Sequence, residues 1–396
     1  MHCVLIMQLF LKDLCLFFAV LLTSALAGCS SRQGDTLSAN EYLPDYLIVE
    51  EISDGGFNVI SISPFDGRAD TLIVKKSFES VVLMSTTHVG FLDAIGCDSV
   101  ITGVSGLRYV CSPQLRKAAQ EGRVKDVGYD AAPDYETILS LNPDLVLTYS
   151  VSGEMSRFEN KLKSLGIRVF CINEHLERHP LARAAYLRLF GALTGRMAEA
   201  DSVLAQVRGN YERIRSGSAG RASHLHVSQE VAQAPARPSR HAQGRARKVL
   251  VNIPYSDQWF IPGGDNYMTH LIEDAGGVVL GAGEGERQSS VISLEKAYAL
   301  ASEADCWLNV GPCTTLSQLE KENPVFPDML RMIETNAESA GLGTGALVWN
   351  CNLRQNSSGG NDFWESGAAR PDLILSDLVS IFNGDDGEKV FYRPLK

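Results

Sequence analysis

The sequence lacks the short motifs that mark many enzyme sites. It has no G-x-x-x-x-G-K-[ST] phosphate loop, no H-E-x-x-H zinc helix and no G-x-S-x-G nucleophile turn. Its glycine-rich stretches GAGEGE and GLGTG do not have the G-x-G-x-x-G spacing of a dinucleotide-binding loop, and we interpret both as turns. We therefore expect a protein that is not an enzyme, with no catalytic residues, no resident cofactor and no metal site of its own.

Positive charge is also scarce. Lys and Arg total 36 against 47 Asp and Glu, which gives a formal net charge of -11. Non-specific binding to nucleic acid requires a basic face that displaces counterions from phosphates. The charge balance therefore excludes a nucleic-acid partner of that kind.

The cysteines show no C-x-x-C spacing, so the sequence does not support a zinc or thiol-redox motif. Cys171 and Cys306 lie within apolar strand patterns, where cysteine commonly acts as a small hydrophobic residue. An oxidising compartment would also permit disulfides, and the sequence leaves both possibilities open. Six cysteines follow residue 29: Cys97, Cys111, Cys171, Cys306, Cys313 and Cys351.

Residues 1–28 are predicted to be a secretory signal peptide rather than part of the fold. An apolar run follows Lys12 and ends in small residues. Its end, Leu26-Ala27-Gly28-Cys29, resembles a bacterial lipobox, in which the cysteine thiol accepts the lipid. We expect Cys29 to be lipidated and residues 29–44 to form a tether, so that the protein is anchored to a membrane of the periplasm or cell envelope. A plain signal peptide that happens to contain a cysteine is the alternative.

Residues 45–178 have the pattern of an α/β lobe with a β-hairpin extension. Apolar residues alternate over residues 46–76, and the alternation breaks at Asp-Gly-Gly and at Phe-Asp-Gly, which predicts antiparallel hairpins. Strand and helix patterns then follow one another as far as the strand in IRVFCIN. This alternation predicts βαβ units and a parallel sheet.

The next segments separate this lobe from a second one. Residues 179–215 show no strand pattern, and their apolar residues recur at helical spacing, which predicts one long interlobe helix. Residues 216–247 are rich in Ser, Ala, Gly, Pro, Gln, Arg and His and contain no aromatic residue, so we predict a disordered insertion. Residues 248–396 return to alternating strands and helices. The predicted fold is α/β, with two Rossmann-like lobes joined by a single long α-helix and a ligand cleft between the lobes.

One small unit occurs in both lobes. YETILSLNPDLVLTYS opens a helix near Glu136 and reaches a strand after Asp144. SLEKAYALASEADCWLNVG opens a helix near Glu295 and reaches a strand after Asp305. A carboxylate near a helix N-terminus is favoured by the helix dipole, which is the simplest explanation of both glutamates.

The ordered set of motifs resembles the substrate-binding lipoproteins of ABC importers, in the class that has a rigid helical backbone and carries iron-siderophores, haem and cobalamin. The motifs are the lipobox, NPDLVL, W-x-x-PGG-x-x-Y followed by L-x-x-DAGG, and S-L-E followed by ASEADCWLNVG. The resemblance covers most of residues 75–380 apart from the insertion, and it implies a monomer that meets a permease dimer. It also implies that Glu136 and Glu295, one on each lobe, dock with the permease.

The same resemblance places ligand contacts in loops that face the cleft. Aromatic residues supply flat contact area and arginines suit anionic chelates. His88 could instead cap its helix, Trp259 could be a core residue, and Arg354 could pair with Asp362 or Glu365. The implied ligand-binding residues are His88, Arg108, Tyr109, Tyr129, Tyr149, Tyr255, Trp259, Tyr267 and Arg354.

The expected function is therefore delivery of a small-molecule metal chelate to an ABC importer. A ferric siderophore is favoured because arginines accompany tyrosines, and cobalamin (or another corrinoid) and haem are alternative ligands within the same class. A surface lipoprotein that captures ligand without an ABC partner, and a chelate-processing α/β enzyme, are alternatives from other classes.

Overall fold

A computed structural model describes residues 42–129, 132–151, 157–217, 246–342, 346–385 and 387–396. The predicted signal peptide, the lipidation site Cys29 and most of the tether and of the insertion at 216–247 lie outside these residues. Within them, no helix combines the length and the apolar character that a membrane crossing requires.

The first strands form a small antiparallel sheet, as the alternating pattern predicts. They are β1 (Leu47–Glu51), β2 (Phe57–Ile62) and β3 (Ala69–Val74), paired in that order. Gly56 has φ +98°, and a Cβ there would lie 2.3 Å from the carbonyl oxygen of Val74, so the first turn requires glycine. The sheet packs on strand β10 and helix α6, which are defined below.

The first lobe is built on a five-stranded parallel sheet in the order β10-β9-β4-β5-β6. Its buried core includes Val82, Val146 and Phe158. The strands are β4 (Val81–Leu83), β5 (Ile101–Val104), β6 (Lys125–Asp126), β9 (Leu145–Tyr149) and β10 (Val169–Ile172), with the short pair β7 (Gly128–Tyr129) and β8 (Ala132–Pro133) beside them. The helices are α1 (Thr86–Ala94), α2 (Pro113–Gln120), α3 (Tyr135–Leu141) and α4 (Arg157–Ser164).

The single helix expected over residues 179–215 is instead three consecutive helices: α5 (Pro180–Ala184), α6 (Leu187–Thr194) and α7 (Met197–Arg215). Gly195 has φ +69° and ends α6, because a left-handed residue stops the helical hydrogen-bond ladder. Helix α7, at 19 residues, is about 28 Å long. It packs on α6 and on the last helix of the second lobe, so it still links the two halves.

The second lobe has its own five-stranded sheet in the order β13-β11-β15-β16-β17, parallel except for the edge strand β17. The strands of this lobe are β11 (Arg247–Val251), β12 (Trp259–Ile261), β13 (Gly277–Val279), β14 (Ser290–Ile292), β15 (Cys306–Leu308), β16 (Val348–Asn350) and β17 (Arg393–Pro394). The helices are α8 (Tyr267–Asp274), α9 (Leu294–Ala301), α10 (Leu316–Glu322), α11 (Phe326–Ser339), α12 (Asp362–Glu365) and α13 (Pro371–Phe382). The two large sheets share no strand, which agrees with two lobes.

The repeated unit has the same structural role in both lobes. The carboxylate of Asp144, before β9, accepts hydrogen bonds from the N–H groups of Glu79 and Ser80 at 2.7 and 3.0 Å, just before the neighbouring strand β4. The carboxylate of Asp305, before β15, accepts one from the N–H of Lys248 in the neighbouring strand β11 at 3.1 Å. Each acidic residue therefore fixes the start of a central parallel strand to the start of its neighbour.

We expect Asp305→Ala to lower the free energy of unfolding by about 1–3 kcal/mol, because the carboxylate is buried and holds a strand N–H. Asp144→Ala should cost about 1 kcal/mol, since its carboxylate is exposed. Urea denaturation measures both values, with Asp54→Ala on the exposed first hairpin as the control. Equal and negligible effects of all three substitutions would contradict this role.

Candidate ligand site between the lobes

The candidate site lies where loops from both lobes follow the carboxyl ends of parallel strands, the edge at which open α/β sheets bind ligands. In the first lobe these loops include residues 105–112 after β5 and residues 173–176 after β10. In the second lobe they include residues 252–258 after β11 and residues 351–361 after β16. Residues 107–112 and 354–366 contact each other directly across the junction.

Two asparagines shape the strand ends of the second lobe. Asn252 follows β11 with φ +67°, and Asn309 follows β15 with φ +62°. Non-glycine residues seldom adopt this backbone conformation, and asparagine tolerates it better than most. The Asn252 side chain donates to the carbonyl of Phe260 at 2.8 Å, and its own carbonyl accepts from the indole of Trp307 at 2.8 Å. In the sequence both asparagines directly follow an apolar strand pattern, which is the signal that marks them.

Three of the predicted ligand residues form one exposed group in the first lobe. The guanidinium of Arg108 donates to the hydroxyl of Tyr109 at 2.6 Å and lies 4.7 Å from the centre of that ring. The rings of Tyr109 and Tyr129 are 6.4 Å apart, and Tyr129 is 41% exposed. This Arg108–Tyr109–Tyr129 group offers a positive charge and two aromatic faces to a ligand.

Arg354 approaches this group from the second lobe. Its guanidinium makes a 3.0 Å ion pair with Asp362, which is one of the two pairings considered from the sequence. The same loop donates the side-chain amide of Asn356 to the carbonyl of Arg108 at 3.1 Å. The structure therefore brings Arg354 into the neighbourhood of Arg108, with the Arg354 charge already partly neutralised.

Two predicted ligand residues are buried and offer no surface to a ligand. Trp259 is 1% exposed; its indole donates to the carbonyl of Val251 at 2.9 Å and its ring stacks on Trp307. It is the core residue that the alternative interpretation described. His88 is fully buried, and Ser85 rather than His88 caps helix α1, so the capping alternative is also wrong.

The remaining predicted ligand residues are spread along the junction. Tyr149 is 36% exposed and contacts the ring of His175 edge-on, with 5.9 Å between the ring centres. The Tyr267 ring lies 4.5 Å below the guanidinium of Arg183. Arg183 and Tyr267 line a cavity of only about 10 Å³, which is too small for a metal chelate. Tyr255 is 76% exposed at the tip of a tight turn.

A buried polar cluster lies at the base of this region. The carboxylate of Glu174 is 3.7 Å from His88 and from Arg183 and 3.9 Å from His175. Buried atoms of all four side chains make no hydrogen bond with any residue that the structure describes. Burial would raise the pKa of Glu174, but the His175 and His88 rings lower it well below its ordinary value. Glu174 therefore stays ionised beside Arg183. Neither Glu174 nor Arg183 belongs to a sequence pattern that indicates a site.

Glu365 makes two close contacts between the lobes. Its two carboxylate oxygens accept hydrogen bonds from the N–H groups of Cys111 and Ser112, both at 2.7 Å. Ser112 is the N-cap of helix α2, so the carboxylate also lies at the positive end of that helix. Burial nevertheless raises the pKa of Glu365 to about 7, with Asp362 and Asp93 adding to the increase.

Glu136 and Glu295 occupy equivalent positions on the two lobes. Each is the second residue of its helix, after the caps Asp134 and Ser293 respectively, and each is exposed. The pKa of Glu295 is lowered by a hydrogen bond from Ser293. Both helices precede a parallel strand and run antiparallel to it, so their N-termini lie at the sheet edge that carries the ligand loops. The dipole explanation and a docking role are both compatible with this geometry.

The described cysteines and acidic residues show no reactive or metal-binding arrangement. Cys97, Cys111, Cys171, Cys306, Cys313 and Cys351 are all free thiols. Burial raises the pKa of Cys306 and of Cys351 to about 12, so neither thiol ionises near neutral pH. Within the described part of the chain, no group of three or more His, Cys, Asp or Glu could hold a metal ion.

The chain has weak sequence relatives. No family model matches it. An uncharacterized lipoprotein from Methanocaldococcus jannaschii is 24% identical over 329 residues, a match that covers 78% of this chain and 66% of that protein. The chain thus spans just under two thirds of the length of this relative.

Solved structures show the same fold. A periplasmic binding protein from Veillonella parvula has a TM-score of 0.56 at 17% identity, covering 85% of this chain and 100% of that chain. A periplasmic heme binding protein from Pseudomonas aeruginosa has a TM-score of 0.53 at 15% identity, covering 81% and 98%. A periplasmic vitamin B12 binding protein from Vibrio cholerae has a TM-score of 0.51 at 13% identity, covering 77% and 96%. The two-lobed α/β fold predicted from the motifs is confirmed.

Substitution of two aromatic residues of the second lobe, Trp259 and Tyr255, should distinguish a core residue from a surface residue. We expect Trp259→Ala to lower the free energy of unfolding by about 3–5 kcal/mol, because it leaves a cavity beside Trp307. Tyr255→Ala should change it by less than about 0.5 kcal/mol, because the ring is exposed. Chemical denaturation measures both, and a stable Trp259→Ala protein would restore this residue as a ligand candidate.

The raised pKa of Glu365 predicts a pH dependence of stability. A carboxyl whose pKa is about 7 in the folded state and 4.5 when unfolded stabilises the fold fully below pH 4.5, and this contribution is lost as the pH rises through 7. The loss amounts to at most about 3 kcal/mol. Glu365→Gln should remove this part of the decline in stability between pH 5 and 8, as measured in urea titrations. Glu334→Gln, at an exposed position of helix α11, should leave the decline unchanged. Parallel pH profiles for the wild type and Glu365→Gln would exclude the shift.

Proposed function

We propose that this chain, which has the two-lobed fold of periplasmic binding proteins, is a lipid-anchored substrate-binding protein that delivers a metal chelate to an ABC importer. The observation that carries the proposal is the exposed Arg108–Tyr109–Tyr129 group at the edge where the loops of two separate parallel sheets meet. The described residues offer aromatic faces and guanidinium groups there, which suits binding of a large, flat or anionic molecule.

The ligand that we favour is a ferric siderophore. Arg108 and Arg354 approach the same region from opposite lobes, and guanidinium groups bind anionic oxygens in a bidentate manner. The structural neighbours named for heme and for vitamin B12 keep haem and corrinoids as alternatives. Haem iron commonly takes histidine or tyrosine as an axial ligand. For haem we favour Tyr109 in this role, because His88 is buried.

The anchor and the partner complete the proposal. Lipidation of Cys29 would hold the protein at a membrane of the cell envelope, in keeping with the lipoprotein name of the archaeal relative. A permease dimer would receive one exposed carboxylate from each lobe, Glu136 and Glu295, beside the edge of each sheet that carries the ligand loops. A surface lipoprotein that captures the ligand without a permease is the second candidate. Charge reversal at Glu136 and Glu295 distinguishes the two.

A thermal-shift panel tests the ligand. Protein lacking the residues before Ser30 is mixed with ferric siderophores, haemin or cobalamin. A ligand at 100 times its Kd stabilises the folded state by about 2.7 kcal/mol, so we expect the melting temperature to rise by several degrees with one ligand class. Arg108→Ala should reduce this shift, and Arg196→Ala, a surface arginine on the interlobe segment, should not. No shift with any compound would refute the proposed ligand class.

Uptake of the bound compound tests the docking. We expect the double variant Glu136→Lys, Glu295→Lys to lose at least tenfold in uptake rate while it binds ligand normally, because each reversal replaces attraction to a permease arginine by repulsion. The matched control reverses two exposed glutamates elsewhere, Glu51→Lys and Glu334→Lys. Uptake that is equal in both double variants would favour the permease-independent lipoprotein.

A further inference from the structure

Residues 354–366 of the second lobe, which we call the clasp, bond to residues 108–112 of the first lobe, the segment that carries Arg108 and Tyr109. Glu365 accepts the N–H groups of Cys111 and Ser112 at 2.7 Å each. The side-chain amide of Asn356 donates to the carbonyls of Arg108 and Val110 at 3.1 and 3.0 Å. These four bonds join residues about 250 positions apart, and they satisfy backbone groups of four of the five residues from Arg108 to Ser112.

Glycines allow the clasp to come this close. A Cβ on Gly360 would lie 1.8 Å from the carbonyl oxygen of Tyr109, and a Cβ on Gly90 of helix α1 would lie 2.0 Å from the carbonyl oxygen of Glu365. No other residue fits at either position without separating the backbones. The Thr87 hydroxyl, one turn before Gly90, donates to the carbonyl of Trp364 at 2.8 Å. The two backbones therefore lie close together, and side chains of Glu365, Asn356 and Thr87 bond across the contact.

The clasp is itself well ordered by local bonds. The side-chain oxygen of Asn356 accepts the N–H groups of Ser358 and Gly360, both at 2.9 Å, while the backbone N–H of Asn356 donates to the carbonyl of Gly360 at 2.8 Å. The side-chain oxygen of Asn356 thus accepts bonds within the clasp, while its NH₂ group donates to carbonyls of the first lobe. Asn361 then caps helix α12 by accepting the N–H of Phe363.

The first lobe also supports both ends of this segment, and at the far end the Ser112 hydroxyl donates to the carboxylate of Asp93 at 3.3 Å. The start of the segment is held where the N–H of Leu107 donates to the carboxylate of Asp126 at 3.1 Å, after the left-handed Gly106. Within residues 107–110 a single 3₁₀ turn closes, with bonds from Tyr109 to Gly106 and from Val110 to Leu107. The backbone that carries Arg108 and Tyr109 is therefore held by bonds from both lobes.

We propose that Asn356 and Glu365 are positioning residues of the ligand site: through the clasp they hold the backbone of Arg108 and Tyr109 in the orientation that receives the ligand. This inference rests on the proposed function for the identity of the ligand face. It makes the junction between the lobes part of the binding site, although neither Asn356 nor Glu365 needs to touch the ligand.

Hydrogen exchange in the full chain tests the clasp without any ligand. We expect Asn356→Ala to loosen the clasp and so to raise, at least tenfold, the exchange rates of the Cys111 and Ser112 amides that Glu365 holds. Gly360→Ala should do the same by steric separation. The control is Asn336→Ala, which also removes side-chain bonds to backbone carbonyls, those of Ser302 and Ala304, but within the second lobe. Unchanged exchange at Cys111 and Ser112 in both clasp variants would overturn the proposal.

Affinity measurements then test the positioning role with the compound found in the thermal-shift panel. Asn356→Ala should weaken binding about tenfold in the wild type and have no effect when Arg108 and Tyr109 are already alanine, because it acts through them. Asn336→Ala should leave the affinity unchanged even where it lowers the melting temperature. A loss that persists in the Arg108→Ala, Tyr109→Ala background would overturn the positioning role. If no compound binds, the proposed function fails, while the exchange result still decides whether the clasp exists.

Discussion

Two parallel sheets that share no strand have to be joined by contacts other than a continuous ladder of backbone bonds. In this chain the junction depends on buried carboxylates that accept backbone N–H groups from another segment. Glu365 accepts two such groups from the first lobe. Glu177, at the entry to the interlobe helices, accepts the N–H groups of Asp45 and Tyr46 at 2.8 and 3.0 Å. Asp45 in turn makes a 3.1 Å ion pair with Arg287 of the second lobe, so the start of the described fold contributes to the junction.

Burying these carboxylates costs free energy, and the structure offsets that cost differently at each place. Burial raises the pKa of Glu177 and of Glu365 to about 7, because backbone donors only partly replace water around the charge. Glu174 has cationic and imidazole neighbours instead, and its pKa falls well below the ordinary value. Near neutral pH, Glu177 and Glu365, which accept backbone N–H groups, can therefore take up a proton. Glu174, beside Arg183, stays charged.

The sequence predicted the parts of the structure that depend on local pattern. Alternation gave the antiparallel hairpins, strand-helix alternation gave both parallel sheets, and the acidic residue before an apolar run marked Asp144 and Asp305. Which side chains are buried depends instead on which surfaces meet. His88 and Trp259 stand beside predicted loops in the sequence, but their side chains are buried in the lobes. The helix expected over residues 179–215 divides at Gly195, which adopts a left-handed conformation, and also between Ala184 and Leu187. Glu365, in the stretch DFWES, gave no signal because its partners are backbone groups some 250 residues away.

The small antiparallel sheet at the start of the fold has a consequence for solubility. Strand β10 is an edge of the first large sheet, and an uncovered edge can recruit strands of other molecules. The small sheet packs against β10, and its own edge strands are β1 and β3. There the exposed apolar residues Ile48 and Ile73 are followed by charged pairs, Glu50-Glu51 and Lys75-Lys76 respectively. Charges in this position act as gatekeepers against strand-to-strand aggregation.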